Sequence, residues 1–232
     1  MGRTQFVDSV AAAVADVEHG STVMIGGFGT AGQPVELIEA LLESGATGLT
    51  VVNNNAGNGD VGLAALIREG RVRKIICSFP RQSDSQHFDT KYRAGEIELE
   101  LVAQGNLAER IRAAGAGIGA FFTPTGYGTP LAEGKEVREI DGVHYVLEHP
   151  IRADVALVKA YAADRSGNLV YRRTARNFGP IMAAAAKTSI VQVHEVRPVG
   201  GIDPEHVVTP SIYVDRVVEV PSERPARPEE GQ

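Results

Sequence analysis

Four short segments of this sequence are rich in glycine, amide and hydroxyl groups, a composition that a mere connecting loop does not need. They are GGFGTAGQP at 26–34, VNNNAGNGD at 52–60, SFPRQSDS at 78–85 and VAQGNLAER at 102–110. Each follows an apolar run that reads as a buried strand. Because ligands bind at the carboxyl ends of strands in an open α/β sheet, we expect these four loops to line a ligand site.

The first loop combines four glycines with the start of a helix. Gly26, Gly27, Gly29 and Gly32 precede Pro34, which suits the first helical position. Backbone N–H groups near a helix N-terminus favour an anion or an oxyanion. The loop lacks the Lys-Ser/Thr ending of a P-loop and the GxGxxG spacing of a dinucleotide fold. From glycine count alone, a tight structural turn is an equally good interpretation.

The rest of the chain alternates strand patterns with helix patterns, and the segments 5–17, PVELIEALLES, VGLAALIRE, NLAERIRAA and FGPIMAAAAK predict helices. An Asp-Gly pair in VREIDGVHYVLEH predicts a hairpin. Such alternation predicts an α/β fold with an open, mostly parallel sheet and helices on both faces. We expect residues 1–220 to form one domain and the proline-rich residues 221–232 to be a disordered tail.

Composition excludes several classes of protein. The chain has 23 basic and 29 acidic residues, a net charge of −6 and no long run of either sign, so we do not expect a nucleic-acid partner. Cys77 is the single cysteine and the histidines have no metal-ligand spacing, so we expect neither a disulfide nor a metal site. No signal peptide or membrane span is visible, which predicts a cytoplasmic protein without a membrane partner.

Three long segments resemble the family I CoA-transferases. Some members of that family consist of two different polypeptides, a first and a second subunit. GSTVMIGGFGTAGQP is similar to the signature of the first subunit, while AQGNLAERIRAAGAGIGAFFTPTGYGTPLAEGKE and ARNFGPIMAAAAKTSIVQVHEV resemble its central and C-terminal segments. The likeness covers roughly residues 5–220. It implies the open α/β fold of that family and a partner, the second subunit, of similar architecture.

The resemblance also implies a mechanism. Family members attack an acyl-CoA with a glutamate carboxylate and then hold CoA as a glutamyl thioester before passing it to a second acid. In two-subunit enzymes this glutamate lies on the second, glutamate-bearing subunit, in a Ser-Glu-Asn-Gly type motif that is absent here. This chain would therefore position and polarise substrates within a hetero-oligomer. CoA and succinyl-CoA would be substrates, with no permanently bound cofactor.

The same resemblance assigns residues to the site. CoA binding is expected at Gly26, Gly27, Phe28, Gly29, Thr30, Ala31 and Gly32. The amide of Gln104 is expected to polarise an acyl oxygen, although capping of the following helix is the competing interpretation. Asn54 and Asn55 are expected to line the substrate pocket; from the residues alone, a turn-forming asparagine trio is the simpler interpretation.

Arg81 is our candidate for substrate choice. A dicarboxylic substrate needs a fixed cation for its remote carboxylate, and arginine binds a carboxylate with two parallel hydrogen bonds. The loop around Arg81 resembles the 3-oxoadipate enzymes of the family more than the acetoacetate enzymes. An arginine in a polar loop is as often only solvated.

Other functions stay open from the sequence. The resemblance implies transfer of CoA from succinyl-CoA to 3-oxoadipate, as in the β-ketoadipate pathway of aromatic degradation. Acetoacetate or a short-chain acid is the alternative acceptor. A module that binds a CoA thioester without turnover and a thioester hydrolase on the same scaffold are the competing classes.

Overall fold

The computed structural model describes residues 4–81 and 84–221. Its centre is an eight-stranded sheet in which every pair of neighbouring strands is parallel. In spatial order the strands are β1 (Gln5–Val7), β14 (Arg216–Glu219), β12 (Ala186–Val193), β9 (Ala153–Lys159), β2 (Thr22–Ile25), β3 (Leu49–Val52), β4 (Val72–Cys77) and β5 (Glu98–Leu101). The predicted α/β class and parallel sheet are confirmed.

Helices cover both faces of this sheet. One face carries α1 (Val10–Val14), α2 (Val35–Glu43), α3 (Leu63–Arg68) and α4 (Gln86–Arg93); the other carries α5 (Gln104–Gly115) and α6 (Gly179–Ala185). Successive side chains of β2 alternate accordingly, with Val23 and Ile25 in the first core and Met24 in the second. Because both faces are buried, the central strands consist of nearly continuous apolar runs.

Two small sheets extend from the main one. The first contains β6 (Phe121–Thr123), β8 (Val143–Glu148) and β7 (Val137–Ile140), all antiparallel. The turn between β7 and β8 is the predicted Asp-Gly pair, with φ values of 51° and 75° at Asp141 and Gly142. The second sheet contains β11 (Leu169–Val170), β10 (Ala162–Asp164) and β13 (Glu195–Arg197). Short 3₁₀ turns lie at Pro130–Ala132, Arg173–Arg176, Pro204–His206 and Ser211–Tyr213.

The N-terminus differs from the helix predicted over residues 5–17. Phe6 and Val7 lie in β1, which pairs with β14, and α1 begins only after Ser9, whose Oγ accepts a hydrogen bond from the Ala12 N–H at 3.1 Å. Phe6 and Val7 pack into opposite cores, as alternate residues of a strand do. Their positions also fit a helix face, so spacing alone misassigned them. The predicted tail lies, apart from residue 221, outside the described residues.

The four chemistry-bearing loops follow β2, β3, β4 and β5 in turn. These strands are parallel neighbours, so their carboxyl ends meet at one edge of the sheet. The carboxyl ends of β9 and β12 lie at the same edge: β9 is the neighbour of β2, and β12 is the neighbour of β9. No helix among the described residues is long and apolar enough to span a bilayer.

Candidate active site

A bond between two side-chain amides joins loops from separate parts of the sheet. Gln104 Nε2 donates to Asn54 Oδ1 at 2.7 Å, and Ser78 Oγ donates to the same oxygen at 2.9 Å. Gln104 is the first residue of α5, but its side chain does not cap the helix. An amide nitrogen carries two hydrogens, and no other described residue accepts from this one. Gln104 therefore keeps one amide N–H without an acceptor among the described residues.

The neighbouring asparagines shape the turn that presents Asn54. Asn53 Nδ2 donates to the Ile25 carbonyl at 2.6 Å, and Asn53 Oδ1 accepts from the Asn55 N–H at 2.9 Å. Asn55 Oδ1 accepts from the Gly57 N–H at 2.9 Å. Asn53 and Asn55 therefore form local turns with their side-chain oxygens, as the residue types alone suggested. The buried Nδ2 of Asn55 has no hydrogen-bond partner among the described residues, which leaves a second unused amide donor near the site.

The glycine loop forms a tight hairpin. The backbones of Phe28 and Ala31 exchange hydrogen bonds at 3.0 and 3.1 Å, and Gly29 at the tip has a φ of 59°. The N–H groups of Phe28 and Ala31 are therefore used within the loop. Those of Gly29 and Thr30 have no acceptor among the described residues, so they remain available to an anion at the tip.

Asn177 fastens this hairpin to the rest of the fold. Its Oδ1 accepts from the Gly27 N–H at 3.1 Å and its Nδ2 donates to the Ala31 carbonyl at 2.9 Å. Gly26 donates to the Leu157 carbonyl of β9 at 2.9 Å. Sequence reasoning missed Asn177, although it lies in the ARNF segment that carried part of the family resemblance.

The N-terminus of α2 is already occupied by protein groups. Gln192 Oε1 accepts from the Leu37 N–H at 3.2 Å, and Gln192 Nε2 donates to Glu36 Oε2. Burial alone would raise the pKa of Glu36, but the bond from Gln192 and the nearby charge of Lys159 hold the pKa below its usual value. An anion on this loop would therefore meet the hairpin tip and not the helix end.

An apolar cleft of about 330 Å³ opens beside Gln104. Phe28 of the hairpin, Ala108 of α5 and Ile181 of α6 supply much of its surface, and Asn177 borders it. None of the described residues that line it carries a carboxylate. The cleft thus offers an amide donor and apolar walls to an acyl group but no nucleophile.

Arg81 pairs with α4 and not with these amides. Its Nε contacts Asp89 Oδ1 of α4 at 2.5 Å, and the side chain is 54% exposed. Among the described residues it makes no hydrogen bond to Gln104 or Asn54. Residues 82 and 83 of its loop lie outside the described part of the chain. Recognition of a remote carboxylate by Arg81 stays a prediction.

A buried charge network holds the helix that carries Gln104. Glu148 of β8 is almost fully buried and accepts from Asn106 Nδ2 at 3.1 Å and Lys135 Nζ at 2.7 Å. Arg110 of α5 bridges Glu148 at 3.6 Å and Glu100 at 3.0 Å. These contacts tie α5 to both β5 and the small antiparallel sheet. No sequence pattern had singled them out.

Comparison with known proteins identifies the family. A family model for "Coenzyme A transferase" matches residues 7–220. The chain is 66% identical to the first subunit of 3-oxoadipate CoA-transferase from Pseudomonas putida over 92% of each chain. It is 63% identical to the protein of that name from Acinetobacter baylyi over 90% of this chain and 92% of the relative. Identity to the first subunit of a succinyl-CoA:3-ketoacid coenzyme A transferase from Xanthomonas campestris is 51%, over 94% and 89%.

Solved structures share the fold at lower identity. Glutaconate coenzyme A-transferase from Acidaminococcus fermentans superposes with a TM-score of 0.84 at 23% identity, covering 94% of this chain and 76% of that one. The decarboxylase AibA/AibB gives 0.82 at 24% identity, covering 95% and 84%. The scaffold therefore carries more than one activity, so chemistry must be argued from the site. By its family-model match and its relatives, this chain belongs to the coenzyme A transferase family.

Proposed function

We propose that this chain is the first subunit of a hetero-oligomeric enzyme that moves CoA from succinyl-CoA to 3-oxoadipate. The observation that carries the proposal is its 66% and 63% identity to two proteins named as that subunit of 3-oxoadipate CoA-transferase. Identity to the relative named for 3-ketoacids is 51%. The acceptor would therefore be a 3-oxo dicarboxylic acid, in the degradation of aromatic compounds.

The role of this chain in the reaction is to bind and polarise. The unused N–H of Gln104 donates to the acyl oxygen as negative charge develops there during nucleophilic attack. Asn54 and Ser78 hold the amide in place beforehand, and a preorganised donor of this kind lowers a barrier by roughly 2.7–4 kcal/mol. The apolar cleft beside Gln104 receives the acyl chain.

The nucleophile comes from the glutamate-bearing subunit. The described lining of the cleft contains no carboxylate, and the relatives are named as one subunit of their enzymes. A glutamate carboxylate of the second polypeptide attacks the succinyl thioester carbonyl, which forms a mixed anhydride and releases CoA as its thiolate. The thiolate then attacks the glutamyl carbonyl, so that succinate leaves and CoA is held as a glutamyl thioester. Exposed apolar side chains at or beyond the carboxyl ends of four neighbouring strands provide a surface for that polypeptide; they are Phe28, Val61, Phe79 and Leu101.

Two further assignments belong to this proposal. Residues 1–220 would act as one transferase domain, because a single family model matches residues 7–220. The enzyme would work in the cytoplasm, where CoA thioesters are formed and consumed.

Co-expression with the glutamate-bearing subunit tests the proposal. Mixing the purified complex with succinyl-CoA should increase the intact mass of that second polypeptide by a CoA thioester. Adding 3-oxoadipate should remove this mass and produce 3-oxoadipyl-CoA. Thioester loss without an acceptor would indicate a hydrolase, and binding without any covalent intermediate or product would indicate a non-catalytic module. Full activity of this chain alone would contradict the proposed division of labour.

A further inference from the structure

A second, larger cleft also borders the glycine hairpin. Its volume is about 480 Å³, and it is lined by Thr30 of the hairpin, Lys159 at the end of β9, His194 after β12, and the arginine pair Arg172 and Arg173. The first cleft contacts the glycine loop through Phe28, and this one contacts it through Thr30 and the three residues that follow. The two clefts therefore use different residues of the same loop.

Positive charge in this second cleft is largely uncompensated. Arg172 and Arg173 form no ion pair with any described residue, and Arg172 lies over the Tyr161 ring at 5.6 Å from its centroid. Lys159 has only a 3.8 Å contact with Glu36. The one carboxylate in the described lining, Glu195, already accepts from Arg197 Nε at 2.8 Å. Cations grouped in a concave site concentrate a positive field.

The backbone holds the arginines in place. Arg173 has a φ of 52°, a conformation that non-glycine residues rarely adopt and that recurs at functional sites. The segment also packs closely on the hairpin, since a Cβ at Gly32 would lie 2.3 Å from the Ala175 carbonyl oxygen. Asn177 adds its bonds to Gly27 and Ala31. A merely solvated loop would need none of these constraints.

We propose that the second cleft binds the phosphate groups at the nucleotide end of CoA, an inference that rests on the proposed function. Arginine and lysine side chains and the unused N–H of Thr30 match phosphate oxygens. Several cations and a backbone donor in one cleft suit the three phosphate groups of CoA, whereas the succinyl and 3-oxoadipate chains each carry a single remote carboxylate.

A substrate that lacks the phosphates distinguishes phosphate binding from other roles of this cleft. The complex of this chain with the glutamate-bearing subunit would be prepared as wild type, Arg172→Gln, Arg173→Gln and the double variant. Arg152→Gln is the matched control, because Arg152 is exposed, forms no ion pair with a described residue and precedes β9 at the opposite edge of the sheet. The KM for succinyl-CoA, succinyl-pantetheine and 3-oxoadipate would be measured for each.

We expect the double variant to raise the KM for succinyl-CoA by at least about tenfold, with a weaker salt dependence. Its kcat/KM for succinyl-pantetheine, which lacks the phosphates, should equal that of wild type within about twofold, and Arg152→Gln should change neither. An equal loss with both thioesters, or a raised KM for 3-oxoadipate alone, would overturn the inference.

Binding measured without turnover distinguishes failure of this inference from failure of the proposed function. Calorimetry with 3′-phospho-ADP should show at least about tenfold weaker binding to the double variant than to wild type. If the wild-type complex transfers no CoA, the proposed function fails while the calorimetric comparison still tests the cleft. Equal affinity in wild type and double variant would refute phosphate binding there.

Discussion

Gln104 and Asn54 are joined by a 2.7 Å hydrogen bond between their side-chain amides, although fifty positions separate them in the chain. Asn54 follows β3, and Gln104 begins α5 on the second face of the sheet. The turn bonds of Asn53 and the hydroxyl of Ser78 fix the acceptor oxygen. The amide that we propose as the donor to substrate is therefore oriented by protein groups alone.

Removing the donor should slow the chemical step. We expect Gln104→Ala to lower kcat by about 10²–10³, because a preorganised donor to the developing oxyanion is lost. Asn54→Ala should lower kcat by about tenfold by releasing the amide. Since the two side chains act as a unit, the double variant should be little worse than Gln104→Ala alone. Multiplicative losses in steady-state kinetics would contradict this coupling.

Two glycines of the same hairpin should differ in their tolerance of a methyl group. Both Gly29 and Gly32 have positive φ, but a Cβ at Gly29 meets nothing within 4 Å, whereas one at Gly32 lies 2.3 Å from a backbone oxygen. Gly29→Ala should lower the free energy of unfolding by about 1 kcal/mol through backbone strain alone. Gly32→Ala should cost about 2 kcal/mol more, measured by urea denaturation. Equal losses would show that the arginine segment does not press on the loop.

The buried carboxylate of Glu148 should stabilise the helix that carries Gln104. Its removal in Glu148→Gln leaves Lys135 without its buried partner and weakens the bond from Asn106. We expect the free energy of unfolding to fall by about 3 kcal/mol and kcat to fall with it. Glu139→Gln, an exposed carboxylate on β7 of the same sheet, should lie within about 0.5 kcal/mol of wild type. A Glu148 variant as stable as this control would exclude a structural role.

Cys77 should be unreactive in the folded protein. It is fully buried, and burial raises the pKa of its thiol to about 12, so almost no thiolate exists near neutral pH. Labelling with a thiol reagent under mildly alkaline conditions should be at least about a hundredfold slower in native protein than in urea-unfolded protein. Rapid stoichiometric labelling of the native chain would disprove this, and Cys77→Ala provides the blank.

Arg81 tests the basis of acceptor choice. If it binds the remote carboxylate, the substrate must compete with Asp89, and Arg81→Gln should raise the KM for 3-oxoadipate by about tenfold. Arg73→Gln is the control, because Arg73 is equally exposed and also paired, to Glu98 at 3.3 Å, but lies at the start of β4. An unchanged preference between 3-oxoadipate and acetoacetate would remove Arg81 from the substrate site.

The sheet could be predicted because strands that are buried on both faces appear in the sequence as apolar runs. Since these strands are parallel, the loops that follow them lie at one edge of the sheet. The hairpin at Asp141 and Gly142 carries its turn chemistry locally. By contrast, Phe6 and Val7 occupy spacings shared by a helix face and a strand. The contacts of Asn177 with the hairpin and of Arg81 with Asp89 depend on packing, and no local pattern encodes them.

The acceptor preference of the complex tests the central claim most directly. With the glutamate-bearing subunit present and succinyl-CoA as donor, kcat/KM would be measured for 3-oxoadipate and for acetoacetate under the same conditions. We predict a preference for 3-oxoadipate of at least about a hundredfold, or about 2.7 kcal/mol, which a paired remote carboxylate can supply. Equal values, or a preference for acetoacetate, would keep the family and the fold but contradict the proposed substrate.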